Sequence, residues 1–209
     1  MKILFTADLH LNIGARSPRT DRTAFDAFAE SVGLEDPGAV VIAGDIGIPE
    51  FAARYLASIR KVVGDRALAV ALGNHDFWLD QAQHAQLTCL GDVVDRYWRE
   101  PCRDAGAALL DIENFEIGDV AIAGGYGHYD LGLAEPDLYV SGVPVTEKNY
   151  LSGGMNGLFW NDFARIPNCA TRLRAEAAGQ AESLASRMDE AIASGKRLLL
   201  AVHTCPWRE

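Results

Sequence analysis

The sequence predicts an α/β domain, and two patterns predict it. Short apolar runs recur along the chain: "KILFTADLH" (2–10), "AVVIAGDIG" (39–47), "ALAVALGNHD" (67–76), "DVAIAGGYG" (119–127) and "RLLLAVHTCP" (197–206). They are continuous rather than alternating, the pattern of strands buried on both faces. Stretches of helical period lie between them, and strands that alternate with helices define an α/β architecture. At 209 residues the chain suits one domain with a core that needs no disulfides.

The helical stretches can be placed from their periodicity and stops. In 20–33, Phe25, Phe28, Ala29 and Val32 follow the i, i+3, i+4, i+7 spacing, with Thr20 or Asp21 as candidate N-cap. Residues 49–63 open with Pro49 at a first helical position, carry Ala52, Tyr55, Leu56 and Ile59 on one face, and stop at Gly64. A third pattern, 171–194, carries Ala181, Leu184, Ala185 and Met188 and stops at Gly195. Residues 126–170 are rich in glycine and aromatic residues and keep no sustained period. A segment of that length is expected to be a flap or insertion beside an active site; the alternative is a long surface loop with Trp160 and Phe163 tucked down as anchors.

Composition narrows the class of partner. A formal net charge of -10 argues against the broad basic footprint that nucleic acid demands. Four cysteines, Cys89, Cys102, Cys169 and Cys205, form no CxxC pair and read as reduced thiols in a cytoplasmic protein. The start, "MKILFTADLH", meets the acidic Asp8 before an apolar signal core could form, and no run approaches the roughly 18–20 apolar residues of a membrane span.

The strands end in chemistry. The first delivers Asp8 and His10, two residues apart and so on one side of a strand; the second Gly44-Asp45; the third Gly73-Asn74-His75-Asp76; the last His203. In an open α/β sheet the loops at the carboxyl ends of the strands form the ligand crevice, so these groups can meet. Singly each has an ordinary reading: Gly-Asp is a common turn, and a lone histidine after an apolar strand is more often structural than a ligand. A solvated loop explains any one of them, but not their recurrence in order.

Taken together, "ADLH", "AGDI", "LGNHD" and "AVHTCP" resemble the signature of the calcineurin-like metallophosphoesterases, and "GLFWND" resembles an insertion found in some bacterial members. The resemblance implies a β-sandwich flanked by helices, αββα layers, in place of an open sheet. It implies two divalent metal ions (Mn, Fe, Zn or Co), with Asp8 and His10 on one, Asn74 and His203 on the other, and Asp45 bridging. Mixed oxygen and nitrogen donors suit these metals. It further implies that His75 is not a ligand but protonates the leaving alkoxide or stabilises its charge, with Asp76 orienting that imidazole or a neighbouring ligand. The reaction so implied is hydrolysis of a phosphomonoester or phosphodiester by a water activated between two metals. His128, in "GGYGHYD", follows a buried run and is a candidate substrate contact; Trp160 and Asp162 are candidates for the same mouth, and His84 reads as a surface residue.

The family's closing Gly-His-x-His is absent from the sequence. The expectation is a domain, 1–209, truncated before that motif, with its C-terminal strands missing, an exposed apolar edge and three protein ligands for each metal. An alternative class is a non-catalytic interaction scaffold with a vestigial metal site, against which all the upstream ligand types are intact. A nuclease like the repair members that share "ADLHL" is disfavoured by the acidic charge.

Overall fold

The computed structural model describes residues 1–14, 22–84, 86–132, 134–135 and 137–204. Its first half follows the expected alternation: β1 (Ile3–Thr6), α1 (Ala24–Glu35), β2 (Ala39–Ala43), α2 (Ala52–Val63, entered through a 3-10 turn at Pro49–Phe51) and β3 (Ala67–Ala71). After a 3-10 turn at Asn74–Phe77 come α3 (Gln81–His84), α4 (Leu90–Val93), a π turn at Val94–Trp98, α5 (Arg99–Asp104) and β4 (Ala107–Leu109). β5 (Phe115–Ile117) and β6 (Val120–Gly125) form a hairpin. The 126–170 segment holds two short hairpins, β7 (Tyr139–Val140) with β8 (Val143–Pro144) and β9 (Gly154–Met155) with β10 (Leu158–Phe159). It also holds the short helices α6 (Glu147–Leu151) and α7 (Asn161–Arg165), and it leads into α8 (Cys169–Ala193) and β11 (Arg197–Val202).

Two sheets result. β1-β2-β3-β4 is wholly parallel, with Ile3 opposite Ala39 and Ala39 opposite Ala67; the second sheet runs β11-β6-β5, with β11 parallel to β6. Alternation along the strands divides the core. Val41, Ala69 and Ala71 of the first sheet meet Val120, Ile122 and Ala201 of the second, while Val40, Ile42, Leu68 and Val70 face the other way into a cluster with Val32, Leu56, Ile59 and Val63 of α1 and α2. Helix α8 packs against β6 and β11. The order of layers is helix, sheet, sheet, helix, so the sandwich replaces the open sheet that the strand pattern alone suggested.

Local chemistry sets the helix ends. Thr23 caps α1 through a capping box: its hydroxyl accepts from Asp26 N at 3.0 Å, and the Asp26 carboxylate accepts from Thr23 N at 2.9 Å. Thr20 and Asp21 lie outside the described residues. Gly64, at φ +64°, ends α2 by donating to Arg60 O at 2.8 Å.

Two expectations about burial fail. On α8, Ala181 and Ala185 are exposed, and the covered positions include Leu173, Arg187 and Ala191. The apolar period misses this face because Arg187 is one of its anchors, donating to Gly124 O at 2.7 Å and to Ser183 Oγ at 2.6 Å. Nor is β11 buried on both faces: it is an edge strand, with Leu199 and Leu200 exposed by 37% and 36%. Cys89, Cys102 and Cys169 are free thiols; Cys205 lies outside the described residues. Among the described residues no helix is long and apolar enough to cross a membrane.

Candidate metal centre

The first three strands end side by side, and hydrogen bonds continue the pairing of β1 and β2 into their loops. Asp8 N donates to Gly44 O (3.0 Å), His10 N to Asp45 O (2.9 Å) and Leu11 N to Ile46 O (2.9 Å). Asp8, His10 and Asp45 all take positive φ, +58°, +44° and +55°. Such backbone is uncommon outside glycine, and its clustering here marks a place where local conformation yields to side-chain placement.

Asp45 is the hub. Its side chain is buried, and Oδ1 accepts from His75 N at 3.0 Å. His203 Nε2 lies 3.4 Å from Oδ1; His10 Nε2 lies 3.6 Å from Oδ2 and 3.6 Å from Asp8 Oδ1. Asn74 Oδ1 lies 3.2 Å from His203 Nε2. His203 Nδ1 meets Ala43 O at 2.9 Å, a contact only an N–H can make, so Nε2 is the ring nitrogen turned toward the hub. The glycines of the two Gly-x motifs are needed for approach: a Cβ at Gly44 would lie 2.5 Å from His203 Nδ1, and one at Gly73 would lie 2.3 Å from Asp45 Oδ1.

This donor set fits divalent cations. Two groups, His10/Asp45/His75 and Asp8/Asp45/His203, have donor atoms within 4.8 Å of one another. Among the described residues neither Asp8 nor Asp45 pairs with a lysine or arginine; their charged or polar neighbours are imidazoles. Donors sharing one ion with bonds of about 2.0–2.2 Å stand about 2.9–3.6 Å apart. The contacts of His10 with Asp8 and Asp45 and of His203 with Asp45 and Asn74 lie in that range, which holds for adjacent donors; His75 Nε2, 4.0 Å from Asp45 Oδ2, lies beyond it but within the cluster.

His75 instead stacks on Trp78, centroids 3.6 Å apart and planes at 23°, and its Nδ1 is buried without a partner. Burial pulls its pKa down, partly countered by Asp45. Among the described residues Asp76 accepts from no imidazole. Its fully buried carboxylate accepts from Gly47 N (2.8 Å) and Gly73 N (2.7 Å), tying the loop after β2 to the loop after β3. Burial raises its pKa well above the usual carboxylate range, and the two amides oppose that rise.

Beside the cluster lies a cavity of about 1360 Å³, touched by Asn74 and Trp78 at one side and lined by Tyr126, His128, Tyr129 and Trp160. His128 is 6% exposed, with neither ring nitrogen bonded, and burial lowers its pKa to about 4. His84, on α3, contacts Arg165 O at 3.0 Å, away from the cluster. Two carboxylates escaped the sequence reading altogether or in their role. Asp111 accepts from Leu72 N and Tyr126 N, both at 2.9 Å, and so links the ends of β3 and β6. Asp162 accepts from Asn74 Nδ2, and the only sequence signal for it was the "GLFWND" segment.

A shared carboxylate between two groups of oxygen and nitrogen donors, set at the strand ends of a helix-flanked sandwich, defines a candidate binuclear metal centre of hydrolytic type. The calcineurin-like phosphoesterase family matches residues 1–168, and the chain belongs to it, a hydrolase of metallophosphoesterase type. His203 lies past the matched residues. No curated protein gives a significant match to the chain.

Proposed function

We propose that the chain hydrolyses a phosphomonoester or phosphodiester with the help of two divalent ions. Asp8 and His10 hold one, Asn74 and His203 the other, and Asp45 both. Ions bound there supply Lewis-acid polarisation of the phosphoryl oxygens and a water acidified enough to attack. The single observation that carries the reading is the orientation of His203. A histidine whose Nδ1 is committed to a backbone carbonyl, and whose Nε2 stands 3.4 Å from a buried carboxylate and 3.2 Å from an amide oxygen, is dressed as a ligand.

The other residues take roles around that centre. His75, 4.0 Å from Asp45 Oδ2 and braced by Trp78, protonates the leaving oxygen or stabilises its charge. Asp76 acts at one remove, by fixing the two loops that present Asp45 and Asn74. The 126–170 segment covers the mouth as a flap, and His128, with both ring nitrogens free at the cavity wall, contacts the substrate's leaving group. The test is hydrolysis of 4-nitrophenyl phosphate and bis(4-nitrophenyl) phosphate with Mn²⁺, with and without chelator. Activity with Mn²⁺ that His75→Ala and Asp45→Asn abolish is the expected result; a folded chain that binds no Mn²⁺ and turns over neither ester refutes the proposal.

A further inference from the structure

Asp162 stands outside the ligand set, on α7, yet it gathers donors from three parts of the site. Asn74 Nδ2 donates to its Oδ1 at 3.0 Å, Trp78 Nε1 to the same oxygen at 2.6 Å, and the Tyr129 hydroxyl to Oδ2 at 2.9 Å. An ionised carboxylate only accepts, so Asn74 must turn its NH2 toward Asp162. Its oxygen is then left facing His203 Nε2, 3.2 Å away. The two ends of an amide are nearly the same size, and only hydrogen-bond partners decide between them. A flipped Asn74 would present two N–H groups where a metal ligand needs a lone pair. Trp78 carries a second effect: pinned at its Nε1 by Asp162, it is the ring on which His75 stacks, and the Arg165 guanidinium lies 5.3 Å from its centroid.

We propose that Asp162 is a positioning residue for the metal centre. It selects the atom that Asn74 offers to the ion and, through Trp78, holds the plane of His75. The inference rests on the metal-centre reading above and adds that the geometry of the site is set in part from the 126–170 segment. The competing role is a plain staple: Asp162 would then only dock α7, and its bond to Tyr129 would matter as much as its bond to Asn74.

Calorimetric titration of Mn²⁺ into the 209-residue chain separates these roles, with circular dichroism to verify folding. Asp162→Ala should lose about 10- to 100-fold in Mn²⁺ affinity, the range for removing a partner that orients a ligand. Asp162→Leu, which keeps the volume without an acceptor, should repeat that loss and serves if the alanine variant fails to fold. Asp162→Asn retains a carbonyl oxygen for Asn74 and Trp78 and should recover most of the affinity. Tyr129→Phe, which releases Oδ2 of Asp162 but leaves the Oδ1 contacts to Asn74 and Trp78, should bind Mn²⁺ as the wild type does. Wild-type affinity in both Asp162→Ala and Asp162→Leu overturns the inference, and so does an equal loss in Tyr129→Phe. A wild-type chain that binds no Mn²⁺ fails the underlying metal-centre reading instead, an outcome visible before any variant is made.

Discussion

Gly73→Ala adds one methyl group where none fits. A Cβ at position 73 would lie 2.3 Å from Asp45 Oδ1 and 2.5 Å from Asp45 N. Cβ atoms essentially never approach other heavy atoms below 3.0 Å, so the loops after β2 and β3 would have to part by about 0.7 Å. The displaced atom is the one that accepts from His75 N and faces His203 Nε2, so the whole donor set shifts with it. Overpacking of this kind costs about 1–3 kcal/mol of stability. Misplacing a reacting constellation by about 1 Å costs on the order of 10²-fold in rate. The expected variant therefore folds, by circular dichroism, but hydrolyses 4-nitrophenyl phosphate on the order of 10²-fold more slowly with Mn²⁺. Gly33→Ala is the matched control. Gly33 lies in α1, a Cβ there meets nothing within 4 Å, and the substitution should stabilise by about 0.5–1 kcal/mol without touching activity. If Gly73→Ala kept wild-type turnover and Mn²⁺ affinity, the close approach of Gly73 would not be what places Asp45, and the physical account of the Gly-Asn motif would be wrong.

Two further predictions concern the join between the sheets. Asp111 is only half-buried as a residue, yet burial pushes its pKa up to about 6 against the bonds from Tyr126 and Leu72 and the nearby Arg187 charge. A carboxylate whose folded pKa is raised holds its proton more tightly when folded, so its contribution to stability falls as pH rises from about 4 to about 6. Removing it should reverse that trend. The stability of Asp111→Asn relative to wild type, from urea melts, should improve by roughly 2 kcal/mol between pH 4 and pH 7; a pH-independent difference would contradict the assignment. Arg187→Ala should lower stability by about 2–3 kcal/mol in the same melts, since it strips Gly124 O of a charged donor and opens the α8 contact. Arg187→Met, which restores the volume, should recover part of that, and equal loss in both would assign the effect to the hydrogen bonds alone.

The sequence shows which residues meet because a parallel strand can only deliver its last polar residues to one end of a sheet. Asp8, His10, Asp45, Asn74, His75, Asp76 and His203 were legible as a converging group for that reason, while their division into ligands and other roles came from the family resemblance. What it hides is how each side chain is turned once there. The partner that orients the His203 ring, Ala43 O, is 160 residues away in sequence, and the partner that turns the Asn74 amide, Asp162, is 88 away. Neither leaves a period or a spacing to read. Asp76 illustrates the same limit from the other side: its place in "GNHD" suggested an imidazole or a neighbouring ligand as partner, and its carboxylate takes the amides of Gly47 and Gly73, the donors that burial leaves bare. The buried face of α8 was missed because an arginine serves as its anchor, and the burial of β11 because a continuous apolar run states what a strand could bury, not how many neighbours it has. Which residues can meet is thus a local property of strand ends. Ligand orientation belongs to the tertiary structure, and it is there, in atoms such as Ala43 O and Asp162 Oδ1, that substitutions far from any motif should reach the metal centre.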